Sequence, residues 1–339
     1  MKQKSAWLAA LAAERINTAG GVLGRQIVLV SEDDENSPAL TAGAFERLAR
    51  EGVNMIVGSS TSWATMAIAE RAQSAGVLLI TLTATRAEIT RAGDFVFRAS
   101  FIDSLQGIIA ANFAFNYLEL RRAAVLFAAD NDFSASIAEA FRERFAELGG
   151  EVAAWESYLS STVDFSAQVC SIRAADPDLV FLPNFFLDVA LQAEQLRAQG
   201  VGAVLLGADG WDGITGSIAP GAGDEIAGGF WLAPFAADTA RPRGAEFARA
   251  FEARFSRPAS MFAALGYDSM MLLAAAISAA GSFCAAEASA ALARVDGEFA
   301  AGRIRFDENR NPVRSAAILE IVRMPDGSLA SVYKTTAGP

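Results

Sequence analysis

Residues 54–85 read NMIVGSSTSWATMAIAERAQSAGVLLITLTAT. Asn54–Val57 is a short apolar run, helical spacing follows from about Ser62 to Ser74, and Val77–Thr81 is a second apolar run. Strands that are apolar on both faces and joined by a helix belong to a parallel sheet covered on both sides. Each run ends in a hydroxyl-rich loop. Gly58-Ser59-Ser60-Thr61-Ser62-Trp63-Ala64-Thr65 opens the helix, and Thr81-Leu82-Thr83-Ala84-Thr85 follows the second strand. Free backbone N–H groups and hydroxyls at a helix N-terminus suit an anion. Open α/β sheets take their ligands beyond the carboxyl ends of such strands. Ordinary helix capping explains one loop of this kind and explains two less well.

Outward from this stretch the same rhythm continues. Upstream, Gln26–Val30 reads as a strand and Ala39–Arg50 as a helix; downstream, Phe95–Phe97 reads as a strand and Ser104–Tyr117 as a helix. The pattern restarts after Leu120. Strands are expected at Ala123–Phe127, Glu151–Ser157, Asp178–Leu182 and Ala203–Leu206, with helices at Ser134–Leu148, Phe165–Ala175 and Leu187–Gln199. Two βα lobes result rather than one. From about Ala240 the spacing predicts helices at Gly244–Phe255, Met261–Ala280 and Ala285–Val295. A tail in antiparallel style follows, Gly302–Phe306, Ala316–Val322 and Leu329–Tyr333, with a turn at Met324-Pro325-Asp326-Gly327.

Composition removes several function classes. The chain has 339 residues, a length that suits about two domains. Hydrophobic content is 53% and charged content 20%, a globular balance, and no run of about 18 uninterrupted apolar residues occurs. The 28 basic residues against 39 acidic ones give a net charge of −11, and the arginines are scattered, so no footprint for nucleic acid exists. There is no histidine. Hydrolase triads and zinc sites built on histidine are therefore excluded, and catalysis is not expected. Cys170 and Cys284 lie too far apart for metal spacing and read as buried, unpaired thiols. No metal or cofactor is called for.

Other motifs have plain readings. Gly20-Gly21-x-x-Gly24 lacks the dinucleotide spacing and follows a helix, so it reads as a helix stop. Glu32-Asp33-Asp34-Glu35 leads into Asn36-Ser37-Pro38, a helix start with proline at the first position, where carboxylates offset the positive helix end. Asp130-Asn131-Asp132-Phe133, Asn184-Phe185-Phe186 and Gly207-Ala208-Asp209-Gly210-Trp211 mark strand exits of the second lobe. Aromatic groups at such exits usually pack, and carboxylates there often cap helices.

The order of these motifs resembles the branched-chain amino-acid-binding family of type I periplasmic substrate-binding proteins of ABC importers. Asn17-x-x-Gly20-Gly21-x-x-Gly24, Asp33-Asp34-x-x-x-Pro38, Gly58-x3-Ser62 and Gly76-Val77-x-x-Ile80-Thr81-x-Thr83-Ala84-Thr85 carry the likeness. So do Asp130-x-Asp132-Phe133, Pro177-Asp178-x-Val180-Phe181, Gly207-x-Asp209-Gly210 and Gly266-Tyr267-Asp268. The resemblance implies two doubly wound parallel-sheet lobes joined by a multi-strand hinge. Residues 1–117 and 241–308 would form the first lobe, and 118–240 and 309–339 the second.

It further implies a monomeric periplasmic receptor that closes on a small ligand, an amino acid or related carboxylate, and passes it to ABC importer membrane subunits. Ser62, Thr83 and Thr85 fall on the positions that hold the α-carboxylate, and Asp209 on the acid that receives the α-ammonium. Phe133 and Phe185 take the places of pocket aromatics, without the tyrosine hydroxyl. Trp63 replaces a small residue, and Trp211 and Tyr267 are further candidate wall residues. A sensory domain of the same fold is the alternative reading.

The opening stretch MKQKSAWLAALAAERINTAGG has the look of an export signal, with Lys2 and Lys4 before an apolar run. Leu8, Leu11, Ala12 and Ile16 nevertheless keep helical spacing, and Glu14-Arg15 interrupt the run. It therefore reads as the first helix. The family resemblance places a strand before that helix, so the first lobe is expected to lack its first strand, as in a chain whose start lies upstream.

Overall fold

The computed structural model describes residues 6–219, 221–238 and 241–339. The chain forms two compact units, one from the residues up to Ile102 together with Ala237–Arg314, the other from Asp103–Ala236 and Ser315–Pro339. The fold is α/β with parallel sheets.

Unit 1 begins with helix α1, Ala6–Thr18, where Ala12, Ala13 and Ile16 are buried on one side. The stretch is helical over its described part, as its spacing predicts. The helix stops at the glycine pair, with the Gly21 N–H donating to the Ile16 carbonyl at 2.9 Å. Helix α2, Pro38–Arg50, starts on Ser37 with proline in its first turn, buries Phe45 and Leu48, and packs on α3, Ser62–Ala75. Strands β1 (Met55–Val57), β2 (Leu78–Thr81) and β3 (Val96–Arg98) pair in parallel in that order, with the short helix α4, Glu88–Arg91, before β3.

Gln26–Val30, expected as a strand, has no ladder partner among the described residues. Its Ile27 N–H and carbonyl are held by the Asn17 amide at 2.7 and 2.9 Å. A strand needs a neighbour for its backbone groups as well as an apolar sequence. Without one, Val28 is 82% exposed. A cavity of about 650 Å³ lies between this segment and β1. Among the described residues, no strand fills the space between this segment and β1.

Unit 2 carries a seven-stranded sheet of order β13-β12-β8-β7-β6-β4-β5. Its strands are β4 (Arg122–Ala128), β5 (Glu151–Tyr158), β6 (Leu179–Leu182), β7 (Val204–Gly207), β8 (Phe230–Ala233), β12 (Ala316–Arg323) and β13 (Leu329–Ala337). The five from β4 to β8 run parallel, and β12 and β13 turn antiparallel, as the tail's style predicts. Helices α5 (Asp103–Asn112), continued by the π-turn Phe113–Tyr117, α6 (Asp132–Glu147), α7 (Ser166–Ala175), α8 (Phe186–Ala198) and α9 (Ile214–Ser217) complete the unit. The Gly107 face of α5 lies directly on α6: a Cβ at Gly107 would sit 2.4 Å from the Ile137 carbonyl oxygen.

The remaining elements belong to unit 1. Helices α10 (Pro242–Phe255), α11 (Met261–Ala280) and α12 (Ala285–Leu292) precede an antiparallel ribbon, β9 (Asp296–Phe299), β10 (Gly302–Phe306) and β11 (Pro312–Val313). Helix α11 is long and apolar enough to cross a membrane, but most of it is buried against neighbours that include α1 and α12. Its one carboxylate, Asp268, is buried and accepts the N–H groups of Ala300 and Ala301, both at 2.8 Å. The two cysteines, expected to be buried, are exposed. On α7 the inward positions are Val169 and Ile172, which turns Cys170 outward, and Cys284 is the boundary residue ahead of α12.

Candidate functional site

Two groups of loops, one in each unit, carry the candidate residues. In unit 1 the loops after β1 and β2 are knitted together. The Thr81 hydroxyl donates to the Ser59 carbonyl at 2.8 Å, and the Thr83 hydroxyl donates to the Ser60 carbonyl at 2.6 Å. Thr61 caps α3, and Ser62 opens it. The Ser62 oxygen accepts the Arg86 N–H at 3.3 Å, which leaves its own hydroxyl proton to donate. Trp63 extends outward and is 70% exposed, while Thr85 is buried.

This refines the expected division of labour. Ser62 can donate to an anion at the α3 N-terminus, whereas the Thr83 proton is already spent on Ser60 and its oxygen can only accept. The acidic run before α2 braces the same loops. Asp34 accepts the hydroxyls of Thr41 at 3.2 Å and Ser59 at 2.5 Å, and Glu32 pairs with Arg47. These carboxylates are spent on holding the loop in place.

In unit 2 the exits of the adjacent strands β7, β6 and β4 come together. Asn184 is the bolt between them. It accepts from the Ser134 hydroxyl at 2.7 Å and donates to the Leu126 carbonyl at 2.8 Å and to Gln192 at 3.0 Å. Phe133, at the start of α6, and Phe185, just before α8, are stacked at 4.9 Å with their planes 17° apart. Phe185 is 49% exposed, so the pair presents an apolar face. Gly210 is in contact with both loops: a Cβ there would lie 2.6 Å from the Asn184 carbonyl oxygen and 3.2 Å from the Phe133 ring.

Asp209, next to Gly210, is buried, and its N–H donates to the Gln106 side-chain oxygen at 3.1 Å. Burial, with the nearby charge of Asp103, pushes the Asp209 carboxyl up to about 7. Neither Gln106 nor Asp103 stands out in the sequence. Both lie on the first turns of α5, and nothing in a helical pattern tells which strand exit that helix will meet.

Two expected wall residues serve the interior instead. Trp211 is fully buried in the unit 2 core, and its indole N–H donates to the Leu182 carbonyl at 2.9 Å. Tyr267 is buried on α11 with Phe247 of α10 at 4.8 Å, and its hydroxyl faces Arg15 of α1. A satisfied polar tip and a buried ring make both of them packing residues.

The sequence profile of the periplasmic binding protein family matches residues 2–328. The leucine-, isoleucine-, valine-, threonine- and alanine-binding protein of Pseudomonas aeruginosa is 28% identical over 301 residues, 88% of this chain and 80% of its own. An amino acid binding protein of the same organism is 30% identical over 276 residues, 80% of this chain and 73% of its own. Among solved structures, the branched-chain amino acid transporter substrate binding protein LivJ of Streptococcus pneumoniae, in complex with isoleucine, superposes with a TM-score of 0.82. It is 28% identical, and the match covers 97% of this chain and 93% of that one. With a profile match along nearly its whole length, the chain belongs to the periplasmic binding proteins, in the type I branch of branched-chain amino-acid-binding proteins.

Proposed function

We propose that this protein is an extracytoplasmic solute receptor for an α-amino acid, which it delivers to the membrane subunits of an ABC importer. The observation that carries this reading is the buried Asp209, whose chain neighbour Gly210 lies against the ring of Phe133 in the stacked Phe133–Phe185 pair. A buried acid next to an apolar plate suits a group with a cationic end and an apolar side chain. In unit 1, the Ser62 hydroxyl at the α3 N-terminus has a proton left to donate to a carboxylate. Small carboxylates without an ammonium group would leave Asp209 unanswered.

Isothermal titration calorimetry against a panel of α-amino acids tests the reading. Asp209→Ala is expected to weaken binding by roughly 2–5 kcal/mol, because it leaves a buried ammonium unpaired. Ser62→Ala is expected to lose about 1–3 kcal/mol, the cost of an unsatisfied carboxylate oxygen. Affinities equal to wild type in both variants would remove these residues from the site. Binding of the des-amino carboxylate as tightly as its parent amino acid would remove the ammonium from the ligand.

A further inference from the structure

Arg98, the last residue of β3, has its whole side chain in the interior of unit 1. A guanidinium carries its donors in a fixed planar fork, so it holds what it bonds in a defined geometry. Two prongs of this fork reach the second hydroxyl loop. Nη1 donates to the Ala84 carbonyl at 2.7 Å and Nη2 to the Arg86 carbonyl at 2.5 Å, so the backbone is gripped on both sides of Thr85. In a planar trans peptide the carbonyl and the N–H that follows it point opposite ways. The grip on the Ala84 carbonyl therefore turns the Thr85 N–H away from the guanidinium. Arg86 in turn donates its own N–H to the Ser62 oxygen at 3.3 Å, the contact that leaves the Ser62 proton to donate.

The fork is itself held from behind. Its Nε donates to the Asn311 side-chain oxygen at 2.7 Å, and the Thr90 hydroxyl donates to the same oxygen at 3.0 Å. Asn311 is buried and is fixed by Asp307, whose carboxylate accepts the Asn311 N–H at 2.8 Å and its side-chain amide at 3.3 Å. The Asp307 carboxylate also accepts the Asn309 N–H at 2.8 Å, which shapes the turn from β10 into β11. Arg310 of the same turn donates to the Thr90 carbonyl at 2.9 Å. All of these groups belong to unit 1, although Asn311 lies 213 positions from Arg98.

We propose that Arg98, locked by Asn311, is a positioning residue for recognition of the ligand's carboxylate. It acts by fixing the Ala84–Arg86 backbone and, through the Arg86 N–H, the Ser62 hydroxyl. The inference rests on the amino-acid reading above and adds the β10–β11 turn to what the carboxylate half of the site requires.

The test uses the full chain and two variants. Asn311→Ala removes the acceptor behind the fork and keeps Arg98, while Arg98→Lys keeps a cation and loses the planar fork. Hydrogen exchange of the ligand-free protein reads the positioning directly. The amides of residues 84–87 should exchange about tenfold faster in Asn311→Ala, the order of one lost hydrogen bond, with those of β6 in unit 2 unchanged. Calorimetry with L-leucine and L-phenylalanine reads the consequence for binding. Asn311→Ala should raise Kd about tenfold in the wild-type background and only about threefold in a Ser62→Ala background, because both changes strike the same interaction. Arg98→Lys should behave alike, and it carries the comparison if Asn311→Ala does not fold. Equal factors in the two backgrounds would show a general structural role and overturn the proposal. Unchanged exchange at residues 84–87 overturns the clamp and leaves the receptor reading standing, an outcome that needs no ligand. Failure of both probes and of every other α-amino acid to bind the wild-type protein overturns the receptor reading, and the role in recognition with it.

Discussion

Asp209 shows how one side chain links function to stability. Its carboxyl is raised to about 7 in the folded protein, while the unfolded chain ionises near the ordinary carboxylate value. The folded state therefore binds the extra proton between these limits, and stability is lost as pH rises through them. The cost is absent in acid and fully present above neutrality. Asp209→Asn removes the charge that must be buried. The variant is expected to melt several degrees above wild type at pH 8, at about 2–4 °C per kcal/mol for domains of 150–250 residues, and little differently at pH 4. Thermal melts of the ligand-free protein at the two pH values check this; equal shifts at both would show that the carboxyl is not perturbed. Ser62 and Thr83 make the same point about reading chemistry from a sequence. Both are hydroxyls in adjacent loops, but only the structure shows that Thr83 has already donated its proton to Ser60.

At the scale of elements, α5 is what meets the Asp209 turn, through the Gln106 side chain. It carries Asp103 and Gln106, and it can reach the strand exits because Gly107 lets it lie against the backbone of α6. A Cβ at this position would meet the Ile137 carbonyl oxygen at 2.4 Å and the Phe141 nitrogen at 2.7 Å. These are backbone atoms, and the helices must part to admit it. Gly107→Ala is therefore expected to cost about 1–3 kcal/mol in denaturant unfolding. Unchanged stability would mean that the close approach is not needed. The contrast with Gln26–Val30 is instructive. That segment has the sequence of a strand, yet it forms no ladder with the described residues, because pairing is a property of the neighbour as much as of the segment.

Across the molecule, each unit has its own buried cluster, one around Phe45, Ile68, Leu79 and Val96, the other around Leu126, Val180, Leu205 and Trp231. A receptor of this kind gains stability from its ligand by mass action. At a free concentration of 100 Kd a single-site ligand adds about 2.7 kcal/mol. A thermal-shift screen should thus single out the cognate amino acid by a melting temperature that climbs with the logarithm of its concentration. A flat response to every amino acid would count against the proposed ligand class and favour a different solute.

How much of this was legible in the residues follows from where the information lies. The alternation of apolar runs and helical spacings made the α/β class, the antiparallel tail and most element positions readable, because both periods are local properties of the chain. The hydroxyl loops after β1 and β2 and the aromatic and acidic exits of unit 2 were readable as a pattern for the same reason. Helix α7 shows the limit: its apolar context suggested a buried Cys170, but the face that turns inward is Val169 and Ile172. Trp211 and Tyr267 likewise looked like wall residues until their neighbours were known. Strand β8 went unread, although it joins the parallel and antiparallel parts of the larger sheet. By itself the sequence determined which residues are chemically able to meet an amino acid. The tertiary structure alone decided which of them do other work, and it brought Asp103 and Gln106 to Asp209 across more than a hundred positions, since burial and proximity are set by packing between segments that carry no mark of one another.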